Sequence, residues 1–144
     1  MELPEEVILR DAGKKVRMIE EVWREHKNLS KMLGMKCEVS NLGLVRRERK
    51  TGGGYMYYTQ SLRNKGSGKK GRVWFVTIKD IPMKVHQLVW EAFYGQMDVP
   101  WYRSDVVIDH INGISLDNRL VNLQLLPALL NSQKQDRDDS KGLF

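Results

Sequence analysis

The chain has 144 residues, 41% of them hydrophobic and 29% charged, which fits one compact domain with a small appendage and excludes two large domains or a wholly disordered chain. No apolar run approaches the roughly 18 residues that span a bilayer, and the N-terminus lacks the basic start and apolar stretch of a secretory signal, so a cytoplasmic protein with no membrane partner is expected. The single cysteine, Cys37, excludes an intramolecular disulfide and any zinc site built from several thiolates, and a net charge of +6 puts nucleic acid first among partners.

Residues 1–35 read as a helical extension. Over 5–34, Val7, Ile8, Val16, Ile19, Val22, Trp23, Leu29, Met32 and Leu33 recur at spacings compatible with one buried stripe, with Gly13 as an interruption and Gly34 as a C-terminal cap. Residues 36–82 change texture to short β-like runs, Val39–Arg47, Tyr55–Leu62 and Val73–Ile78. They are broken at Asn41-Leu42-Gly43, Gly52-Gly53-Gly54 and Gly66-Ser67-Gly68, and a small antiparallel sheet is expected. Charge concentrates here. Arg46, Arg47, Arg49, Lys50, Arg63, Lys65, Lys69, Lys70, Arg72 and Lys79 face one acid, Glu48, a local +9 against about −3 for everything else. Such a segment is either a solvated basic face or an electrostatic footprint for phosphates. The interleaved Tyr55, Tyr57, Tyr58 and Trp74 form either the sheet's own core or part of a surface for nucleic acid.

From 84 to 94, Val85, Leu88, Val89, Ala92 and Phe93 fall at i, i+3, i+4, i+7 and i+8, an amphipathic helix closed near Gly95. His86 at its start reads as a packing residue, because no metal-ligating residue follows at i+4. Val106-Val107-Ile108 then makes an apolar strand ending in Asp109-His110, with a turn at Asn112-Gly113. A polar loop with Asp117-Asn118-Arg119 feeds a second apolar strand, and Pro127 opens a helix over about 128–135 that carries Asn131. One carboxylate and one carboxamide, Asp109 and Asn131, suit a hard cation such as Mg²⁺ or Mn²⁺ that keeps waters and shares phosphate oxygens. Histidine titrates near neutrality and can take a proton from water. Base, metal and phosphate together point to phosphodiester hydrolysis.

Ile108-Asp109-His110-Ile111-Asn112-Gly113, Asp117-Asn118-Arg119, Asn122-Leu123 and Asn131 together resemble the His-Asn-His (HNH) nucleases, in particular the phage and intron-associated homing endonucleases. Val85-His86-Gln87-Leu88-Val89-Trp90-Glu91-Ala92-Phe93 is similar to a helix of that family. Cys37-Glu38-Val39-Ser40-Asn41-Leu42-Gly43-Leu44-Val45-Arg46 is similar to a strand module at the start of many such enzymes. Gln87 stands where a basic residue is usual and Cys37 where an aromatic one is. The resemblance covers about residues 37–135, matches nothing in 1–35, and implies an α+β fold with a ββα-metal (His-Me finger) core at 83–135 behind the basic sheet. The helical extension is read from the residues alone, and a flexible tail is expected at 136–144.

The resemblance further implies that His110 is the general base, Asp109 and Asn131 hold one divalent ion, Mg²⁺ or Mn²⁺, and Asn122 is the central Asn that keeps the histidine in position. Asn118 supports the loop, and Arg119 joins Arg46, Arg47, Arg49, Lys50, Arg63, Lys65, Lys69, Lys70 and Arg72 on double-stranded DNA. One site per small chain implies nicking by a monomer or weak homodimer, in the host cytoplasm if the protein is phage-encoded. Two rival readings are an inactive DNA-binding regulator on the same scaffold and an RNA-binding protein stacking bases on Tyr57, Tyr58 and Trp74.

Overall fold

The computed structural model describes residues 6–11, 14–66 and 71–131, with side chains from residue 20 onward. These residues form a mixed α+β fold of small antiparallel sheets and few helices.

The helical stripe expected over 5–34 is not what forms. Glu6–Asp11 (β1) pairs with Lys14–Ile19 (β2) as an antiparallel hairpin, Trp23–Glu25 (β3) joins another sheet, and among the described residues of this region only Lys27–Leu33 (α1) is helical. Val7 and Leu9 stand opposite Met18 and Val16 in the register, a period of two that β-branched residues favour and that helical spacings conceal. The helix α1 is held at both ends. The His26 ring accepts from the Leu29 amide at 3.2 Å, and Gly34, at φ 68°, donates its amide to Ser30 at 2.9 Å.

The expected single sheet over 36–82 is two. Cys37–Ser40 (β4), Val45–Glu48 (β5) and Tyr55–Tyr57 (β6) extend β3 into a four-stranded sheet. Ser61–Asn64 (β7), Arg72–Ile78 (β8) and Ile81–Lys84 (β9) make a three-stranded one. The run Tyr55–Leu62 therefore leaves one sheet and enters the other: the Tyr58 amide donates to Val45 at 2.9 Å, and the Gln60 side chain donates to the Gly43 carbonyl at 2.7 Å.

The turn between β4 and β5 is built residue by residue. Ser40 Oγ accepts from the amides of Leu42 and Leu44, Asn41 bonds the backbone of Val22 and Glu20 through its side chain, and Gly43 takes φ 93°.

The helix Val85–Tyr94 (α2) lies at the hub, touching β3, β4, β8, β9 and the strand Val106–His110 (β10). Its Val85, Leu88, Val89 and Phe93 pack with Val39, Val45, Val76 and Ile78 of the two sheets and with Ile108 and Leu123. Cys37 belongs to the same core, where burial pushes its thiol up to about 11, an inert packing group. Beyond a short turn at Trp101–Arg103, β10 pairs antiparallel with Leu123–Pro127 (β11), and residues 128–131 begin a helix. Residues 132–135 of the expected helix, the tail 136–144, Lys69, Lys70 and most of the Gly66-Ser67-Gly68 break lie outside the described residues.

Candidate active site

The hairpin β10–β11 presents its two chemical residues at one end. In its register Asp109 stands opposite Gln124 and His110 opposite Leu123. Asp109 is 4% exposed and accepts a hydrogen bond from Gln124 Nε2 at 2.8 Å. His110, half-buried, has Nε2 2.8 Å from Asn118 Oδ1. A carboxamide oxygen only accepts, so this contact places the ring proton on Nε2 and the lone pair of the neutral imidazole on Nδ1. Burial pushes His110 below the usual histidine range and the positive charge of Lys65 adds to this, while the Asn118 bond, Asp109 and Asp117 act the other way.

The loop 111–122 is braced from inside. Asn122, 5% exposed, accepts from the Asn112 amide at 3.0 Å and donates to the Asp117 carbonyl at 2.8 Å, closing the two ends of the loop on each other. Its own carbonyl takes the Ile111 amide at 2.7 Å, and Gly113 turns the chain at φ 76°. Arg119 forks onto Asp117 at 2.8 and 2.7 Å, and this pairing holds the Asp117 carboxyl below its ordinary range. Two outside elements grip the loop. Leu120 donates to the carbonyl of Asn41 at 2.8 Å, and Ser115 Oγ donates to the carbonyl of Arg72 at 2.7 Å.

Asn118 is costly where it stands. It is 5% exposed, and its Nδ2 has no hydrogen-bond partner among the described residues. A buried donor left unpaired costs about 1–3 kcal/mol, while its Oδ1 accepts from His110.

His86, which its own helix marks only as a packing residue, packs against His110 itself, with ring centroids 5.1 Å apart and planes at 73°. Burial pushes His86 well below the usual histidine range, with His110, Lys84 and Lys65 adding to it. Between that lowered value and 6.5 the unfolded chain binds more protons than the folded one, so stability is present above about pH 6.5 and drains away as the pH falls below it. Urea midpoints measured from pH 7.5 to 5.5 are expected to fall for the wild type and to fall less steeply for His86→Phe. Equal slopes would remove His86 from the account.

Asp109, His110, Asn118 and Asn122 are therefore gathered at one end of the hairpin and its loop. Asn131 stands on the helical turn after Pro127, a residue paired with Val106 at the other end of β10. Among the described residues no three His, Cys, Asp or Glu side chains cluster for a metal. A carboxylate and a carboxamide of the kind expected at Asp109 and Asn131 would suit a hard cation that completes its shell with water and phosphate, and would not suit an all-protein cage. Two further residues reach the site, Gln124 on Asp109 and Lys65 through its charge on His110. The sequence signals Gln124 only through the opposed register of β10 and β11, and it marks Lys65 as a basic residue for phosphates, not as a neighbour of His110.

The basic residues divide. Arg49, Lys50, Arg63 and Arg72 are exposed. Arg46 lies between the rings of Trp23 and Tyr55, at 3.7 and 3.8 Å, and spends its donors on Glu38 and Tyr57. Arg47 is turned onto Met35, Met56 and the Glu48 carbonyl. Tyr58 and Trp74 pack against the core, and Tyr57 meets Trp23 edge-on.

Among known proteins, residues 83–133 match the family model described as HNH endonuclease. No curated protein and no solved structure matches the chain. No helix of the described residues is long and apolar enough to cross a membrane.

Proposed function

We propose that this chain, whose residues 83–133 match the HNH endonuclease family model, is a metal-dependent endonuclease that hydrolyses phosphodiester bonds of double-stranded DNA, on a ββα-metal core of β10, β11 and the helix that follows. The observation that carries the reading is the bond between His110 Nε2 and Asn118 Oδ1 beside the buried Asp109. It leaves the imidazole nitrogen that accepts protons defined, while burial favours the neutral ring.

His110 takes a proton from a water that attacks phosphorus, the bond from phosphorus to the 3′ oxygen breaks, and that oxygen takes a proton from solvent, giving 5′-phosphate and 3′-hydroxyl ends. Asp109 and Asn131 would hold a single Mg²⁺ or Mn²⁺, which when bound stabilises the charge developing on that leaving oxygen. Asn122 keeps the loop closed, and Asn118 keeps the base aimed. Arg49, Lys50, Arg63, Lys65 and Arg72, with Lys69 and Lys70 of the same segment, supply charge for the phosphates. Arg119 extends this at the loop, 48% exposed beyond its pairing with Asp117. A monomer with one site nicks, in the manner of the homing enzymes that the sequence resembles.

The RNA-binding alternative draws nothing from the geometry, since two of its three stacking rings are packed against the core. Supercoiled plasmid incubated with the protein and Mg²⁺ or Mn²⁺ is expected to give relaxed circles, and excess EDTA is expected to stop the reaction. Turnover that survives EDTA would overturn the metal assignment. Tight duplex binding without cleavage under any divalent ion would leave the inactive regulator.

A further inference from the structure

The family match begins at residue 83, yet the residue that aims His110 is backed by a turn forty positions before that. Gly43 is buried in the turn between β4 and β5 at φ 93°. A Cβ at this position would stand 3.2 Å from the Cβ of Asn118, closer than most side chains approach one another, and in ordinary contact with its carbonyl oxygen at 3.6 Å. The same turn is tied to the catalytic loop by the Leu120 amide on the Asn41 carbonyl, and it is anchored from the far side by Gln60 on the Gly43 carbonyl at 2.7 Å.

Asn118 has one polar contact among the described side chains, its Oδ1 on His110, because its Nδ2 has no partner. Among the described side chains, that bond and the packing behind it are what hold the amide in place. Only a residue without a side chain satisfies both the backbone conformation and the contact at position 43.

We propose that the β4–β5 turn, through the bare face of Gly43, positions Asn118 and thereby the general base, so that the strand module preceding the nuclease segment is a working part of the hydrolytic site. Gly43 and Asn118 are positioning residues that act through His110. The inference rests on the nuclease reading for its consequence in rate, and on the geometry alone for its consequence in the imidazole tautomer.

The test compares wild type, Gly43→Ala, Asn118→Ala, the double variant and Gly34→Ala. Gly34 also has positive φ, 68°, but nothing lies within 4 Å of a Cβ there, so it reports backbone strain without the contact. Gly43→Ala and Asn118→Ala are each expected to lower the single-turnover cleavage rate by about tenfold or more with duplex Kd within about twofold, and the double variant is expected to be no slower than Asn118→Ala. Gly34→Ala should keep the wild-type rate. Nitrogen-15 imidazole shifts at pH 8 should report the Nε2–H tautomer at His110 in wild type and Gly34→Ala, and mixed tautomers in Gly43→Ala and Asn118→Ala.

A wild-type rate and tautomer in Gly43→Ala, or rate losses that multiply in the double variant, would overturn the proposal. Should Gly43→Ala not fold, Gln60→Ala loosens the turn without adding an atom. A slower rate with a mixed tautomer then supports the coupling, and no change in either overturns it. If wild type cleaves nothing, the nuclease reading fails separately, and the tautomer comparison still decides whether the turn positions His110.

Discussion

Replacing His110 by alanine is expected to lower the single-turnover cleavage rate of duplex DNA by about 10²- to 10⁴-fold, the usual contribution of a positioned general base, while duplex affinity stays near wild type. The expectation follows from the site. The imidazole is the one group on the hairpin that is neutral, partly solvent-facing and fixed in a single tautomer, its Nε2 on Asn118 and its ring against His86. Burial favours the neutral form that accepts a proton. Truncation removes the acceptor and leaves the basic surface and the loop brace of Asn122 intact. Asp109→Ala should differ in kind: rate falls and the divalent-ion concentration for half-maximal rate rises, because the carboxylate is assigned to the ion and not to the proton. Cleavage by His110→Ala at the wild-type rate would strip the residue of its role. Equal ion dependence in wild type and Asp109→Ala would do the same for the carboxylate.

How much of this is legible in the sequence depends on the kind of signal. The helix α2 is plain because Val85, Leu88, Val89 and Phe93 all bury, as the 3.6-residue period demands. The hairpin β10–β11 is plain because an apolar run stops at a turn and a second one begins. The N-terminal region misleads because valine and isoleucine at 7, 8, 16 and 19 read as one helical stripe, while the alternation of Val7 with Leu9 and of Val16 with Met18, with β-branching, argues for strands.

The strand β9 carries no such signal. Its hairpin turns at Lys79 and Asp80, with φ 49° and 65°, a pair of left-handed residues without the Asn-Gly signature that announces such a turn. Site contacts that cross between elements are the least legible. His86 lies twenty-four positions before His110, and a search for a second ligand along one helix does not find a neighbour on a strand. Arg46 reads as phosphate-facing because composition records its charge and not the two aromatic rings that enclose it.

That division among the arginines gives the second large effect. Changing Arg49, Lys50, Arg63 and Arg72 together to glutamine should weaken duplex binding by orders of magnitude at moderate salt. It should also flatten the plot of log affinity against log salt concentration by about 3.6 if each neutralises one phosphate, since every phosphate left without its cation keeps back about 0.9 of a released counterion. All four are exposed, so little stability should go with them. Arg46→Gln should behave oppositely. Its guanidinium bridges Glu38 and Tyr57 while stacked on Trp23 and Tyr55, so the melting temperature should drop and the salt slope should hold. Fluorescence-anisotropy titrations of a labelled duplex from low to physiological salt, with thermal melts of the same samples, separate the two outcomes. A quadruple variant with the wild-type slope would remove these residues from the interface, and the excess charge of this region would then be no more than a solvated face.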